Sequence, residues 1–422
     1  MRKQDDETSE NEFSEPEVKF RGKQSQQPKK ETQQPQKDDK KQQQPKKSNF
    51  VVRTTYTLIM LGGFFAIIAA GPFYTYLLIL LISILMFQEL LRLKRRVDKE
   101  KEIPLFNIIN WHFFFSALYY SVGSTVKAKL PHLIFQCETL QLLAKYHNVI
   151  FFMLWAFGFV AFTLSLKPGY YRYQLRVFGW THLGCFFIIG STMFMGQNLF
   201  EGIIWFLLPA TLVISNDIFA YIFGFFLGKH QLIQLSPKKT WEGFIGGAFS
   251  SIIWAFLISY FALFVPALIC PQRTLNVIPF QFESCTFSSQ MQLQQYNLPQ
   301  FLHFTGVQHI YISEFNIHAM IMSLFASLIA PFGGFFASGI KRAIKIKDFG
   351  DVIPGHGGLI DRFDCQLIMG MFAYVYLHTI VLSSTDSLSR FTSHIDGLPF
   401  EDQLQIFEHL KLSLQQNGIL AN

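Results

Sequence analysis

The sequence predicts an all-α fold, a polytopic integral membrane protein with about nine transmembrane helices. Three observations carry that expectation. Half of the 422 residues are hydrophobic, so the spans themselves would form the core. Apolar runs near the roughly 20 residues that a helix needs to cross a bilayer recur along the chain. Clusters of Lys and Arg follow several of these runs, as expected of cytoplasmic loops. A soluble protein of this length would alternate apolar and polar positions instead.

Residues 1–50 are rich in Lys, Gln and Pro and nearly free of aliphatic side chains. Such a tail cannot bury enough apolar surface to fold and is expected to be disordered. It lacks the apolar core of a signal peptide, so it should stay attached. The transmembrane region, 51–384, opens with a span over 55–70 and a turn at Gly71-Pro72. The next span, 73–91, ends in Arg92-Leu93-Lys94-Arg95-Arg96 and should therefore end in the cytoplasm. Spans over 109–126, 149–166 and 177–195 follow, with Gly196-Gln197-Asn198 as the next turn. The run 199–227 is ambiguous. It reads as one tilted helix or as two half-spans broken near Ser215-Asn216-Asp217. One crossing is preferred, because it puts Lys229, Lys238 and Lys239 on the same side as the charged segment at 338–364. Spans over 244–268, 317–336 and 363–382 complete the bundle. In the tail 385–422, Phe400, Leu404, Phe407 and Leu414 fall near helical spacing, with Gly418 as a stop, so an amphipathic surface helix is expected.

Of the five cysteines none forms a C-x-x-C pair, which argues against zinc. Cys185 and Cys365 belong in or beside apolar spans, where they pack as small hydrophobes. Cys270 and Cys285 share a polar loop and would pair if it faced an oxidising lumen; free thiols are the expected state.

The chemistry concentrates at 338–364, which reads SGIKRAIKIKDFGDVIPGHGGLIDRFD. Lipid disfavours such charge, so the segment must lie at a membrane surface or in a wet cavity. Its cations suit phosphate and its carboxylates suit a hard cation. Lys341 and Lys345 are one helical turn apart, so on a helix they share a basic face with Arg342 beside it. A snorkelling collar at a span end is the plainer reading. Asp361 and Asp364, three apart, share a helical face and can direct two carboxylates at one ion; two acids in a helix's first turn is the plainer reading. Asp217 stands in an apolar run, where an unpaired Asp costs about 2.5–3.5 kcal/mol, so it must face the bundle interior or a cavity. A second stretch, Ser236-Pro237-Lys238-Lys239-Thr240-Trp241-Glu242-Gly243, offers cations and short hydroxyls for a phosphate. It also reads as a helix start at Ser236, with Glu242 near capping-box distance. No P-loop pattern is present.

Ser338, Lys341-Arg342, Lys347-Asp348, Pro354-Gly355-His356-Gly357-Gly358 and Asp361-Arg362-Phe363-Asp364 resemble the signature of the phosphatidate cytidylyltransferases (CDP-diacylglycerol synthases) of eukaryotic type. The run at 236–243 is similar to a second motif of that family, in the expected order. The resemblance implies transfer of a cytidylyl group from CTP to phosphatidic acid, releasing pyrophosphate. It implies Mg²⁺, with a second, monovalent cation such as K⁺ left open. Lys341, Arg342, Asp348, His356, Asp361 and Arg362 then become catalytic candidates. Ser236, Lys238, Lys239, Thr240, Glu242, Ser338 and Lys345 become substrate-binding candidates, and Asp361, Asp364 and Asp217 metal ligands. Gly355, Gly357 and Gly358 would let the backbone approach a phosphate. One departure stands out: bacterial relatives carry an Asp four residues before the signature Ser, and here that position is Gly334. The implied partners are CTP, phosphatidic acid and the bilayer, with a homodimer left open and no nucleic acid. The implied location is the endoplasmic reticulum, active site toward the cytoplasm. The rival readings are a CTP-dependent polyprenol or phytol kinase and a transporter of anionic lipid or phosphate compounds.

Overall fold

The computed structural model describes residues 46–94, 103, 105–135, 137–285, 287–298, 308–350, 357–382, 395, 398 and 400–416. The expected disordered tail up to residue 45 and the turn holding His356 lie outside the described residues.

The chain is a helical bundle. Its main helices are α1 (Lys46–Ala70), α2 (Pro72–Lys94), α3 (Phe106–Lys129), α4 (His147–Leu164) and α5 (Tyr171–Phe200), which runs through a π-helical turn at Cys185–Ile189. They continue as α6 (Ile204–Leu227), α7 (Trp241–Ala262), α8 (Glu314–Leu328), α9 (Pro331–Ala343), α10 (Ile360–Tyr376) and α11 (Phe400–Gln416). The only sheet among the described residues is a hairpin, β1 (Gln294–Asn297) with β2 (His309–Ile312). Among the described residues seven segments are long and apolar enough to cross a membrane, with α8 and α9 counted as one. The apolar part of α1, Thr55–Ala70, is shorter. Helix α3 carries buried Asn110, Ser116, Ser121, Thr125 and Lys129, polar groups that dilute its apolar run. The expected all-α membrane architecture is present, and seven of its expected nine crossings meet the length and polarity requirement.

Local chemistry explains the boundaries. Gly71, with φ of +124°, turns the chain before Pro72 opens α2, the helix position where a missing N–H costs nothing. Ser313 and Asn316 form a reciprocal capping box at the start of α8, which satisfies two orphan donors. Two expectations change. The turn after α5 lies at 201–203, not at Gly196-Gln197-Asn198. Gly196 is a packing glycine: a Cβ there would stand 2.5 Å from the Tyr76 ring. The turn falls instead to Gly202, whose φ of +134° is easy for glycine alone. Helix α6 then runs unbroken through Ser215-Asn216-Asp217, as one crossing requires. Within it the Asn216 side chain accepts from Ser251 of α7.

Helices α6 and α7 approach closely through small residues. A Cβ on Gly243 would lie 2.6 Å from the Ala220 carbonyl, and one on Gly247 would lie 3.0 Å from the Ala220 methyl. Glycines spaced by four give such contact in membrane helices. The main apolar cluster joins α6, α7, α8 and α10 around Trp205, Leu212, Phe315, Met322 and Met369.

The bundle has two chemically distinct ends. At one, Cys270 and Cys285 form a disulfide, which corrects the expectation of free thiols: the loop folds back and brings the two together. The same loop hydrogen-bonds to Phe200 and Ala70 and supplies Arg273 to Glu201 at 3.5 Å. Glu201 also pairs with Lys129 at 2.6 Å, both side chains nearly sealed from solvent. The signature segment occupies the other end. Helix α11 forms as expected, with none of its residues buried.

Burial pushes the Glu201 carboxyl up, but Lys129 and Arg273 outweigh it and hold it below the usual carboxylate range. A depressed carboxyl contributes stability that is complete above its unfolded pKa and lost as pH falls through the folded one. Glu201→Gln, which leaves Lys129 buried without its counter-charge, should cost about 3 kcal/mol at pH 7. The wild-type protein in detergent should hold its melting temperature near neutrality and lose this component below about pH 4. Equal melting temperatures for the two proteins at pH 7 would refute the assignment.

Candidate active site

Two segments meet at the end opposite the disulfide. The first is the α9–loop–α10 unit. Lys341, in the last turn of α9, points inward and pairs with Asp361 in the first turn of α10 at 2.5 Å; the side chains are 16% and 10% exposed. The Asp361 Oδ2 accepts the Phe349 N–H at 2.8 Å, and the Lys341 ammonium lies 5.4 Å from the Phe349 ring centre. Both Asp361 oxygens are thus engaged. Asp364, one turn on, takes the Cys365 N–H on Oδ1.

A Cβ on Gly334 would lie 3.3 Å from the other Asp364 oxygen. The Gly334 departure therefore has a physical reading: the Asp364 carboxylate already fills the space beside that position. The α9 and α10 backbones touch here, since a Cβ on Gly333 would meet the Asp364 carbonyl at 2.5 Å.

Lys341 and Lys345 do not share a helical face. Helix α9 stops at Ala343, and Lys345 sits in the left-handed region with φ of 58°, the ending usually given to glycine. The Ile346 N–H returns to the Lys341 carbonyl. Arg342, Lys345 and Asp348 are exposed, with Asp348 beside Gly357. Ser338 is half-buried on α9.

The second segment is the loop between α6 and α7. The helix starts at Trp241 rather than Ser236, and Thr240 is its cap, accepting the Gly243 N–H. Glu242 folds back onto the loop. It accepts N–H bonds from Lys229 and His230 and pairs with the His230 ring at 2.6 Å. Its observed work is to fasten the loop that carries Ser236, Lys238 and Lys239. Lys239 reaches Asp217 of α6 at 3.4 Å, while Lys238 stays exposed.

Asp217 joins the segments. It lines, with Arg362, a cavity of about 490 Å³ between α1, α2, α5, α6 and α10. The walls are otherwise mostly apolar, including Phe64, Ile79, Met195 and Phe206. The α6 lining runs from Trp205 to Ile218, about 20 Å of helix. Asp364 lies within electrostatic reach of both Asp217 and Lys341. No group of three or more His, Cys, Asp and Glu side chains is gathered for a metal among the described residues. Among the described residues Asp364 has no ion pair, and Asp217 has only the long one to the exposed Lys239. That donor set fits Mg²⁺, which is typically held by one or two carboxylates, substrate phosphates and water.

Sequence reasoning passed over Glu89 of α2, a buried carboxylate that reaches the signature loop. Its only signal was an acid inside an apolar run, just before a basic cluster.

The cytidylyltransferase family model matches residues 51–380. A phosphatidate cytidylyltransferase of Caenorhabditis elegans is 42% identical over 375 residues, covering 88% of this chain and 80% of that protein. Phosphatidate cytidylyltransferase 1 of Arabidopsis thaliana is 42% identical over 367 residues, 86% of each chain. The human protein of that name is 42% identical over 370 residues, 87% of this chain and 80% of its own length. The match spans both charged segments and the helices that carry them, and the chain belongs to the cytidylyltransferase family.

Proposed function

We propose that the chain is a phosphatidate cytidylyltransferase that makes CDP-diacylglycerol and pyrophosphate from CTP and phosphatidic acid. One observation carries the reading beyond family membership: the largely apolar cavity reaches charge at Arg362 of the signature segment and at Asp217, which Lys239 of the second motif approaches at 3.4 Å. An apolar chamber with a polar end suits a lipid whose phosphate must reach a water-soluble nucleotide. A phosphate oxygen of phosphatidate attacks the α-phosphorus of CTP, the bond to the bridging oxygen of the β-phosphate breaks, and pyrophosphate leaves. The attacking oxygen is already anionic near neutrality, so little base catalysis is needed. The barrier lies in bringing two anions together. Arg362 would hold the lipid phosphate, and Lys238 and Lys239 would meet the triphosphate from the α6–α7 loop. Asp361 would hold the Lys341 ammonium in place, so that it favours negative charge developing nearby. Asp217 and Asp364 would hold Mg²⁺, which supplies charge neutralisation at the phosphates when bound.

The assay is pyrophosphate release from CTP by purified protein, with and without phosphatidate. Release only with phosphatidate, and CDP-diacylglycerol in the lipid extract, is expected. A polyprenol or phytol kinase would instead leave CDP and a phosphorylated alcohol, and a transporter neither. Asp217→Asn and Asp364→Asn should each lose at least about a hundredfold in turnover at low Mg²⁺, with partial recovery as Mg²⁺ is raised. An unchanged Mg²⁺ dependence in both would remove them as ligands.

The same reading places the protein in the endoplasmic reticulum membrane with this site toward the cytoplasm. Its support is the disulfide at the opposite end, since such bonds persist in oxidising compartments, and the basic residues at the site's end. On sealed, cytoplasmic-side-out vesicles an impermeant thiol reagent should label a Lys238→Cys protein at that position. Native Cys137, exposed in the segment after α3, should label only after permeabilisation. The reverse pattern would invert the topology.

A further inference from the structure

The signature loop is closed at its base by two carboxylates, and one belongs to neither motif. Asp361 takes the Phe349 N–H. Glu89, on α2, takes the Ile360 N–H on Oε2 at 2.9 Å, and the residue is only 2% exposed. Helix α10 starts at Ile360 with no side-chain cap of its own; its N-cap residue is Leu359. Glu89 supplies that acceptor from another helix, where a carboxylate also meets the positive end of the helix dipole.

The second Glu89 oxygen, Oε1, is buried with no hydrogen-bond partner among the described residues. It is packed against Gly350 and Gly358. A Cβ on Gly358 would stand 2.8 Å from Glu89 Cδ, and one on Gly350 would stand 3.0 Å from the same atom. Of the two signature glycines among the described residues, Gly357 has the positive φ, of 82°, and Gly358 does not. At 350 the nearest atoms all belong to Glu89, so the space Glu89 occupies explains the absence of a side chain there; at 358 the Gly350 backbone nitrogen, 2.8 Å from such a Cβ, closes the space as well. Met86, one turn before Glu89 on α2, lines the apolar cavity, so one helix touches both the chamber and the loop.

We propose that Glu89 is a positioning residue of the active site: from α2 it fixes Gly350, Gly358 and the first turn of α10, and so sets where Asp361, Arg362 and Asp364 point. The catalytic part of this proposal rests on the function proposed above; the anchoring part does not.

The test uses the full chain in detergent, with Glu89→Ala, Glu89→Gln, Gly350→Ala and the double variant Glu89→Ala/Gly350→Ala. Amide hydrogen exchange across 357–363, measured without substrates, reads the anchoring. Exchange at Ile360 should quicken at least about tenfold in Glu89→Ala and stay near wild type in Glu89→Gln, whose amide oxygen still accepts. In catalysis Glu89→Ala should lose at least about tenfold in kcat through misplacement, with KM for phosphatidate within about threefold and substantial rescue in Glu89→Gln. Gly350→Ala should be damaging alone yet cost less than about twofold when Glu89 is already Ala, because the colliding carboxylate is gone. Should Glu89→Ala not fold, Glu89→Met fills the space without an acceptor and gives the same exchange readout. Wild-type exchange at Ile360 in the acceptor-free variant, or equal damage from Gly350→Ala with and without Glu89, would overturn the proposal. Faster exchange in a protein whose wild type lacks cytidylyl transfer would leave the anchoring intact and overturn the assigned reaction and the catalytic part alone.

Discussion

The buried pair between Lys341 and Asp361 is the interaction on which the candidate site depends. The two groups stand 2.5 Å apart, mostly withdrawn from water, in a protein whose surroundings are largely apolar. Assembling such a pair costs desolvation, and removing one partner costs about 3–5 kcal/mol because the other is left buried and uncompensated. The pair spans the gap between the end of α9 and the start of α10, which fixes the ends of the loop between them. Phe349 is held twice over, by its N–H on Asp361 and its ring under Lys341. Both Asp361 oxygens are engaged, one by Lys341 and one by the Phe349 N–H, and Asp364 follows one turn along.

The rest of the bundle holds the segments around that pair in place. The glycine contact of α6 with α7 brings the Lys239 loop over Asp217. The Glu242 clip gives the loop a defined shape without spending the lysines. At the far end, the disulfide and the Lys129–Glu201–Arg273 group hold the helix ends together. A cavity between helices can then stay open at one end without the bundle spreading. Exposed apolar side chains such as Phe225, Phe226 and Phe249 cover the outer surface, as a lipid environment requires.

Much of this was legible in the sequence because lipid makes charge conspicuous. Lys341, Asp361, Asp364 and Asp217 stood out against apolar neighbours, and the structure brings all four to one end. What was not legible depended on partners remote in sequence. Gly196 has the composition of a turn, yet its role is to admit the Tyr76 ring. Lys341 and Lys345 have helical spacing, but spacing cannot reveal that the helix ends between them with Lys345 left-handed. The Cys270–Cys285 pairing depends on how a 15-residue separation folds back. Glu89 was hidden by its setting, because an acid beside a basic collar reads as an ordinary span end. Its partner lies 271 residues away.

The account's central claim is that Lys341 and Asp361 act as one unit, and a double-mutant cycle on pyrophosphate release tests it directly. Lys341→Met and Asp361→Asn should each lose at least about a hundredfold in turnover. The double variant should lose no more than about threefold beyond the worse single, since the second change removes a group already without its partner. Losses that multiply, with the double variant falling by the product of the two, would show that each residue acts on the substrates independently and would contradict the account.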